Sequence, residues 1–322
     1  MKNYNFYLLL IVYALYSQSC DDIIEEDISD AVIIPEAPED NAQIEGNTVQ
    51  FRWNEVDGTP QYRLQVSNTT TNSIILDSLL VNTRFDFAIS PGTYRWRIRA
   101  ENSAYQTPYS SENSFQIIES ENLENQTIIL SNPGDNIVLN TKPGQFSWEA
   151  ITTATRYQFE LFSISNNQEV VVFVQDSLQN TSVNIDSPDT LEDATYKWQV
   201  RAKNNLGSSR YFSRTFIIDS KNPPVPTIVK PTVGQQFIRD QEVAFEWSFT
   251  EEKPEGINTK IVSILEIASD MNFTNIIEQE TASDTQFSYQ FTDNGTYYWR
   301  IKGTDQANNT GEYNSTGQIV IN

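Results

Sequence analysis

Cys20 is the single thiol of this 322-residue chain, and histidine is absent. A lone thiol can be acylated or oxidised, but it cannot close a disulfide within its own chain. Without imidazole there is no Ser-His-Asp or Cys-His relay, no neutral-pH proton shuttle and no imidazole metal site. Paired carboxylates and lysine remain as groups with chemistry to offer: Asp and Glu number 43 against 21 Lys and Arg, a formal charge of -22. That sign excludes nucleic acid as a partner, because gripping a phosphate backbone depends on Lys and Arg displacing counterions.

The acids gather in two loops near the C-terminus, Glu251, Glu252 and Glu255 in one and Asp305 in another. Calcium takes six to eight oxygens, and no ordered Asp-x-Asp-x-Asp-Gly run is present, so no metal and no cofactor are expected. Arg95, Arg97 and Arg99 alternate along one segment and share a face with Arg63 of a neighbouring segment. Two readings stand: a stripe that recognises an acidic partner, or a strand face paired with nearby carboxylates. Tyr105 has no counterpart elsewhere in the chain and is a candidate exposed contact, whereas Tyr109, Tyr211 and Tyr313 recur at equivalent places and read as packing.

The elements that must position these groups show themselves through tryptophan. The six Trp form three pairs, Trp53 with Trp96, Trp148 with Trp198 and Trp247 with Trp299, whose first members are 95 and 99 residues apart. A period of that size is one small domain. Around each pair apolar and polar residues alternate, as in Tyr94-Arg95-Trp96-Arg97-Ile98-Arg99-Ala100, Tyr196-Lys197-Trp198-Gln199-Val200 and Tyr297-Tyr298-Trp299-Arg300-Ile301. Period two places apolar side chains on one face of a half-buried antiparallel strand. Short strands separated by turns about every ten residues predict a sandwich or a barrel. Aromatics at 12% provide the apolar area for three cores.

A Trp on the second strand and Tyr-x-Trp-x-Ile/Val-x-Ala/Gly on the sixth resemble the fibronectin type III pattern. The resemblance implies an all-β chain of three tandem fibronectin type III-like, immunoglobulin-like β-sandwiches at 32–119, 124–219 and 223–322. It makes Tyr94, Tyr196 and Tyr297 corner tyrosines whose hydroxyls bond upstream backbone. Asn222-Pro223-Pro224-Val225-Pro226 predicts a stiff linker. No segment remains for a catalytic domain, so the chain is expected not to be an enzyme.

Lys2, the apolar run 6–16 and Ser17-Gln18-Ser19 before Cys20 describe a secretory signal over 1–19, too short to span a bilayer. The stretch resembles a lipoprotein signal, with Ser17 standing where Leu is usual, and implies lipidation of Cys20. The acids of 21–27, within a tether over 20–31, resemble the surface-export signal of Bacteroidota lipoproteins; a solvated acidic spacer facing the periplasm is the other reading. The implied place is the outer membrane, lipid-anchored and surface-exposed. Asp77-Ser78-Leu79, Asp176-Ser177-Leu178 and Asp189-Thr190-Leu191 resemble Bacteroidota O-glycosylation sites, at Ser78, Ser177 and Thr190. The function expected is a non-catalytic binding or spacer module for a protein or glycan, or else glycan capture for a polysaccharide-uptake system. One loop breaks the repeat: Trp53 to Leu64 and Trp148 to Phe159 each span 11 residues, but Trp247 to Leu265 spans 18. The extra residues predict a loop that braces the junction of copies two and three, or binds a ligand.

Overall fold

Alternation along the strands sorts the chain into buried and solvated faces, and the sorting occurs three times. The computed structural model describes residues 25–250, 257 and 259–322. Copy one contains β1 (Pro35–Ala37), β2 (Ala42–Glu45), β3 (Thr48–Trp53), β4 (Gln61–Asn68), β5 (Ile74–Leu80), β6 (Arg84–Ala88), β7 (Gly92–Glu101) and β8 (Asn113–Ile118). Copy two has β9 (Leu130–Asn132), β10 (Ile137–Leu139), β11 (Gln145–Trp148), β12 (Arg156–Ser165), β13 (Gln168–Leu178), β14 (Ser182–Asn184), β15 (Ala194–Lys203) and β16 (Phe212–Ile218). Copy three has β17 (Thr227–Lys230), β18 (Gln235–Phe237), β19 (Glu242–Ser248), β20 (Val262–Ala268), β21 (Ile276–Ala282), β22 (Gln286–Gln290), β23 (Gly295–Thr304) and β24 (Gly317–Ile321).

Each copy packs a three-stranded sheet on a five-stranded one. The orders are β1-β3-β6 with β2-β8-β7-β4-β5, then β14-β11-β9 with β10-β16-β15-β12-β13, then β17-β19-β22 with β18-β24-β23-β20-β21. Neighbours are antiparallel except β2–β8, β10–β16 and β18–β24, where the second strand of each copy runs parallel to its last. Both expected features are therefore present: the sandwiches, and their fibronectin type III-like strand order.

All six tryptophans are at most 3% exposed. In each core the Trp of the long strand meets a Phe of the facing sheet edge-on: Phe51–Trp96 at 5.1 Å and 63°, Phe146–Trp198 at 5.4 Å and 66°, Phe245–Trp299 at 5.0 Å and 76°. This geometry sets the positive ring edge against the partner's negative face and adds about 0.5–1.5 kcal/mol to area burial. The corner tyrosines behave as expected. Tyr94, Tyr196 and Tyr297 donate to the carbonyls of Ser90, Glu192 and Asp293 at 2.8, 2.9 and 3.0 Å.

Two differences from the sequence reading have clear causes. Residues 20–31 were expected to be tether, yet Ile28 is 2% exposed and belongs to the first core; the surrounding acids disguise an apolar residue that the sandwich uses. Leu123, ahead of the expected start of copy two, likewise lies in the second core. The turn before the fourth strand also divides the copies. Tyr62 and Tyr157 accept hydrogen bonds from the amides of Val56 and Ile151 at 3.1 and 2.9 Å, pinning that loop down. Copy three has Ser263 there instead, which accepts from the Trp247 indole at 2.7 Å. Its loop therefore lacks the tyrosine pin, and it is the longer one.

Tyr157→Phe would leave the Ile151 amide buried without an acceptor, at a cost of about 1–3 kcal/mol. Denaturant unfolding followed by tryptophan fluorescence is expected to show an earlier transition with an unchanged slope, and Tyr62→Phe the same in copy one.

Candidate functional site

The outer faces of the three five-stranded sheets hold most of the ordered polar chemistry. In copy one Arg63 pairs with Asp77 and Glu101 at 2.9 Å each, Arg99 meets Glu101 at 2.6 Å and Arg95 meets Glu112 at 3.5 Å. Arg97 donates twice to the Gln65 side-chain oxygen, at 3.0 and 2.8 Å. Arg97 and Arg99 also stack over Tyr109 at 4.2 and 4.7 Å. The arginine stripe is thus a paired strand face. The hydrogen bond from Arg63 holds the Asp77 carboxyl below its ordinary range.

The other copies repeat the arrangement with their own acids. Arg201 lies 4.7 Å over Tyr211, whose hydroxyl donates to Glu160 at 2.6 Å. Arg300 lies between Tyr313 at 3.9 Å and Phe273 at 4.1 Å, and Tyr313 donates to Glu266 at 2.8 Å. The recurring tyrosines are packing residues of the outer face, roofed by cations rather than sunk in the core. Partial burial, the hydrogen bond to glutamate and that glutamate's charge push both Tyr211 and Tyr313 up to about 12.

A second recurring device grips the chain as it comes into each sandwich, using the loop after the seventh strand. Asn102 donates its side-chain amide to the carbonyls of Glu26 at 2.8 Å and Gly58 at 3.2 Å. Asn204 does the same to Glu121 at 2.7 Å and Thr153 at 3.3 Å. In copy three Asn309 takes the role, donating to the Asp219 carbonyl at 2.7 Å. Asp305, 5% exposed, accepts from the Asn309 backbone and side-chain amides at 2.9 Å each and so aims it. Thr259 donates to the Asp219 carboxylate, and the Gly311 backbone passes so close that an added Cβ would stand 2.5 Å from the Pro223 carbonyl oxygen. Asp305, taken from sequence as a loop acid, is therefore a buried orienting group.

The remaining candidates are scattered. Cys20, Glu251, Glu252 and Glu255 lie outside the described residues. Tyr105 is 37% exposed in the copy-one loop that holds Asn102, with its amide bonded to the Asn102 side chain at 2.7 Å. Ser78 is half-buried on β5. Ser177 is exposed at a left-handed position, φ 58°, beside an Asp176 whose carboxyl the Lys203 hydrogen bond holds below its ordinary range. Thr190 is exposed, with its hydroxyl donating to the Ser187 carbonyl at 2.7 Å. The structure brings none of these three hydroxyls together. Among the described residues no group of three or more Cys, Asp or Glu is placed to hold a metal ion.

One feature escaped the sequence reading. The β12–β13 hairpin turns through Asn166 and Asn167 at φ 51° and 59°, the two-residue type I′ geometry, and carries Val170, Val171, Val172 and Val174 at 58, 58, 43 and 49% exposure. Its signal was the unbroken run Val170-Val171-Val172-Phe173-Val174, which has no alternation and no counterpart in the other copies.

No protein-family model matches the chain, and no curated protein does. Among solved structures it is similar to the FN1-FN3 domains of chicken CNTN1, at 12% identity and a TM-score of 0.41, over 90% of this chain and 97% of that one. It is also similar to fibronectin(III)-like modules of Clostridium thermocellum CbhA, at 6% identity and a TM-score of 0.33, over 61% of this chain and 93% of that one. The class rests on the geometry already described: eight-stranded fibronectin type III-like sandwiches with a tyrosine corner in each. Three of them follow one another in this chain.

Two outcomes follow. Asn309→Ala removes the amide that holds Asp219 and is expected to speed tryptic cleavage after the exposed Lys221, with Thr259→Ala adding to it. The raised tyrosines give a pH window. A folded value of about 12 against about 10 unfolded means stability is fully present below about 10 and is lost as pH rises through about 12. Thermal melts are expected to fall across that interval, less steeply in Tyr211→Phe with Tyr313→Phe.

Proposed function

We propose that the chain is a non-catalytic lipoprotein, anchored through Cys20 in the outer membrane and exposed on the cell surface, whose sandwiches space and present a binding surface for a protein or glycan. The observation that carries this reading is the grip on the incoming chain, present in all three copies. Glu26 and Glu121 each precede the first Trp of their copy by 27 residues and Asp219 by 28, so one device recurs in register. The grip seats Ile28 and Leu123, each two residues further on, in their cores, and so fixes the chain at its point of entry, as a spacer also requires. In copy one the gripped residue lies six positions after Cys20. At about 3.3–3.6 Å per residue, the lipid and the first sandwich are then separated by a reach of at most about 22 Å.

Glycan capture is supported by Tyr105, an exposed aromatic whose backbone the Asn102 cap holds in place. Sugar stacking would use such a ring, and loss of glycan binding in Tyr105→Ala would favour this narrower role.

Fractionation tests the anchor. Cys20→Ala is expected to move the protein from membranes into the soluble fraction, and protease added to intact cells is expected to remove the wild type. Membrane partitioning unchanged by Cys20→Ala overturns the anchor, and wild-type protein untouched by protease overturns surface exposure.

A further inference from the structure

Copies two and three share a residue. β16 ends at Ile218, and the next residue, Asp219, donates its amide to the Leu139 carbonyl at 2.9 Å, at the end of the parallel ladder of copy two. The other polar groups of Asp219 are held by copy three, its carbonyl by Asn309 and its carboxylate by Thr259. Ser220 is tied back to copy two, its amide and hydroxyl donating to the Asp193 carboxylate at 3.1 and 2.7 Å. Pro223 is tied forward to copy three. An added Cβ at Gly311 would stand 2.5 Å from its carbonyl oxygen, and one at Gly303 would stand 3.0 Å from its Cβ. In sequence only Lys221 and Asn222 separate the two ties.

The joint is also buried. Asp219, Thr259, Asp305 and Asn309 are all buried, and so are Ile257 and Ala307 on the same two loops of copy three, although neither belongs to that copy's core. Gln306, next to Ala307, lines one cleft with Val138, Thr195 and Ile217 of copy two. Glu121–Asn322 accordingly forms one compact unit. A buried carboxylate is costly unless donors meet its oxygens, so Asp219 and Asp305 fit the joint only while Thr259 and Asn309 stand where they do. Hydrogen bonds are directional, and a network of this kind specifies one arrangement of the two copies where apolar contact alone would tolerate sliding.

The loop that provides Ile257 and Thr259 is the one that breaks the repeat. Copies one and two pin the corresponding loop to themselves through Tyr62 and Tyr157. Copy three lacks that pin, and its longer loop turns a hydroxyl to Asp219 instead. We propose that this loop is a brace, and that copies two and three move as one rigid arm locked through Asp219. Domains joined in one chain bend at their junction by default; the shared residue and the network around it remove that freedom.

Pulsed electron–electron resonance tests the lock. Nitroxides are placed on Gln175→Cys in copy two and Gln279→Cys in copy three, both exposed on strands, in the chain carrying Cys20→Ala, which leaves no other thiol. A single narrow distance distribution is expected. Thr259→Val keeps the volume of the side chain without its hydroxyl, and together with Asn309→Ala it is expected to abolish the narrow peak. Thr259→Ser, which retains the hydroxyl, is expected to preserve it. A second label pair, Gln236→Cys with Gln279→Cys on opposite edges of one copy-three sheet, is expected to hold its distance throughout and so ties the broadening to the joint. Where that pair shifts in the double variant, Thr259→Val alone is read in its place. A broad distribution in the chain with Thr259 and Asn309 intact overturns the proposal. A narrow peak that survives their replacement overturns it too, because the copies are then held without the brace.

Discussion

Every sandwich depends on one contact between its two sheets, the edge-on meeting of a strand-three Phe with a strand-seven Trp at 5.0–5.4 Å. No disulfide joins the sheets, because the chain has one cysteine, and so apolar contact must do alone what a bridge does in many secreted domains of this size. The Trp side chain has the area to reach across the interlayer gap, and burying it contributes on the order of several kcal/mol at about 25 cal/mol per Å². The remaining features follow from its placement. The strand that carries it is the longest of copies one and three, its alternate residues project to the outer face, and the loop after it holds the amide that grips the incoming chain.

That outer face explains how a strongly acidic chain keeps its cations ordered. Arginines that look in sequence like a stripe open to a partner are each held by carboxylates, amides or a tyrosine ring. In copies two and three the tyrosine also binds a glutamate through its hydroxyl. Guanidinium stacked on a ring and paired at its edge loses little of its hydrogen-bonding capacity, and the same arrangement survives changes in which acid completes it.

The parts legible in sequence were those with short-range signatures. Trp spacing, strand alternation and the corner tyrosines each lie within a few residues of one another, and period two fixes their faces. The grip was not legible, because Asn102, Asn204 and Asn309 act on carbonyls 76, 83 and 90 residues away in the chain, and asparagine in a loop has many uses. Asp305 was readable as a loop acid but not as buried, since its burial comes from a neighbouring segment. The valine run of β13 was visible; its meaning needed the sheet order, which puts it at an edge rather than between two strands. Ile28 was hidden by the acids around it, which describe the surface of its segment and not the one side chain that turns inward.

The parallel pairing of the second strand with the last has a mechanical consequence. In each copy the second strand, which the entering chain reaches through the first, lies beside the last strand and points the same way, as in Ala42–Glu45 against Phe115–Ile118. A pull on the two ends drives these strands in opposite directions along their own length, so the hydrogen bonds between them are loaded together in shear and not opened one after another. Forced unfolding is governed by the rate of crossing the barrier, which this geometry raises without adding to equilibrium stability. Three such clasps follow one another along the chain, so tension applied to its two ends would be borne by each in turn.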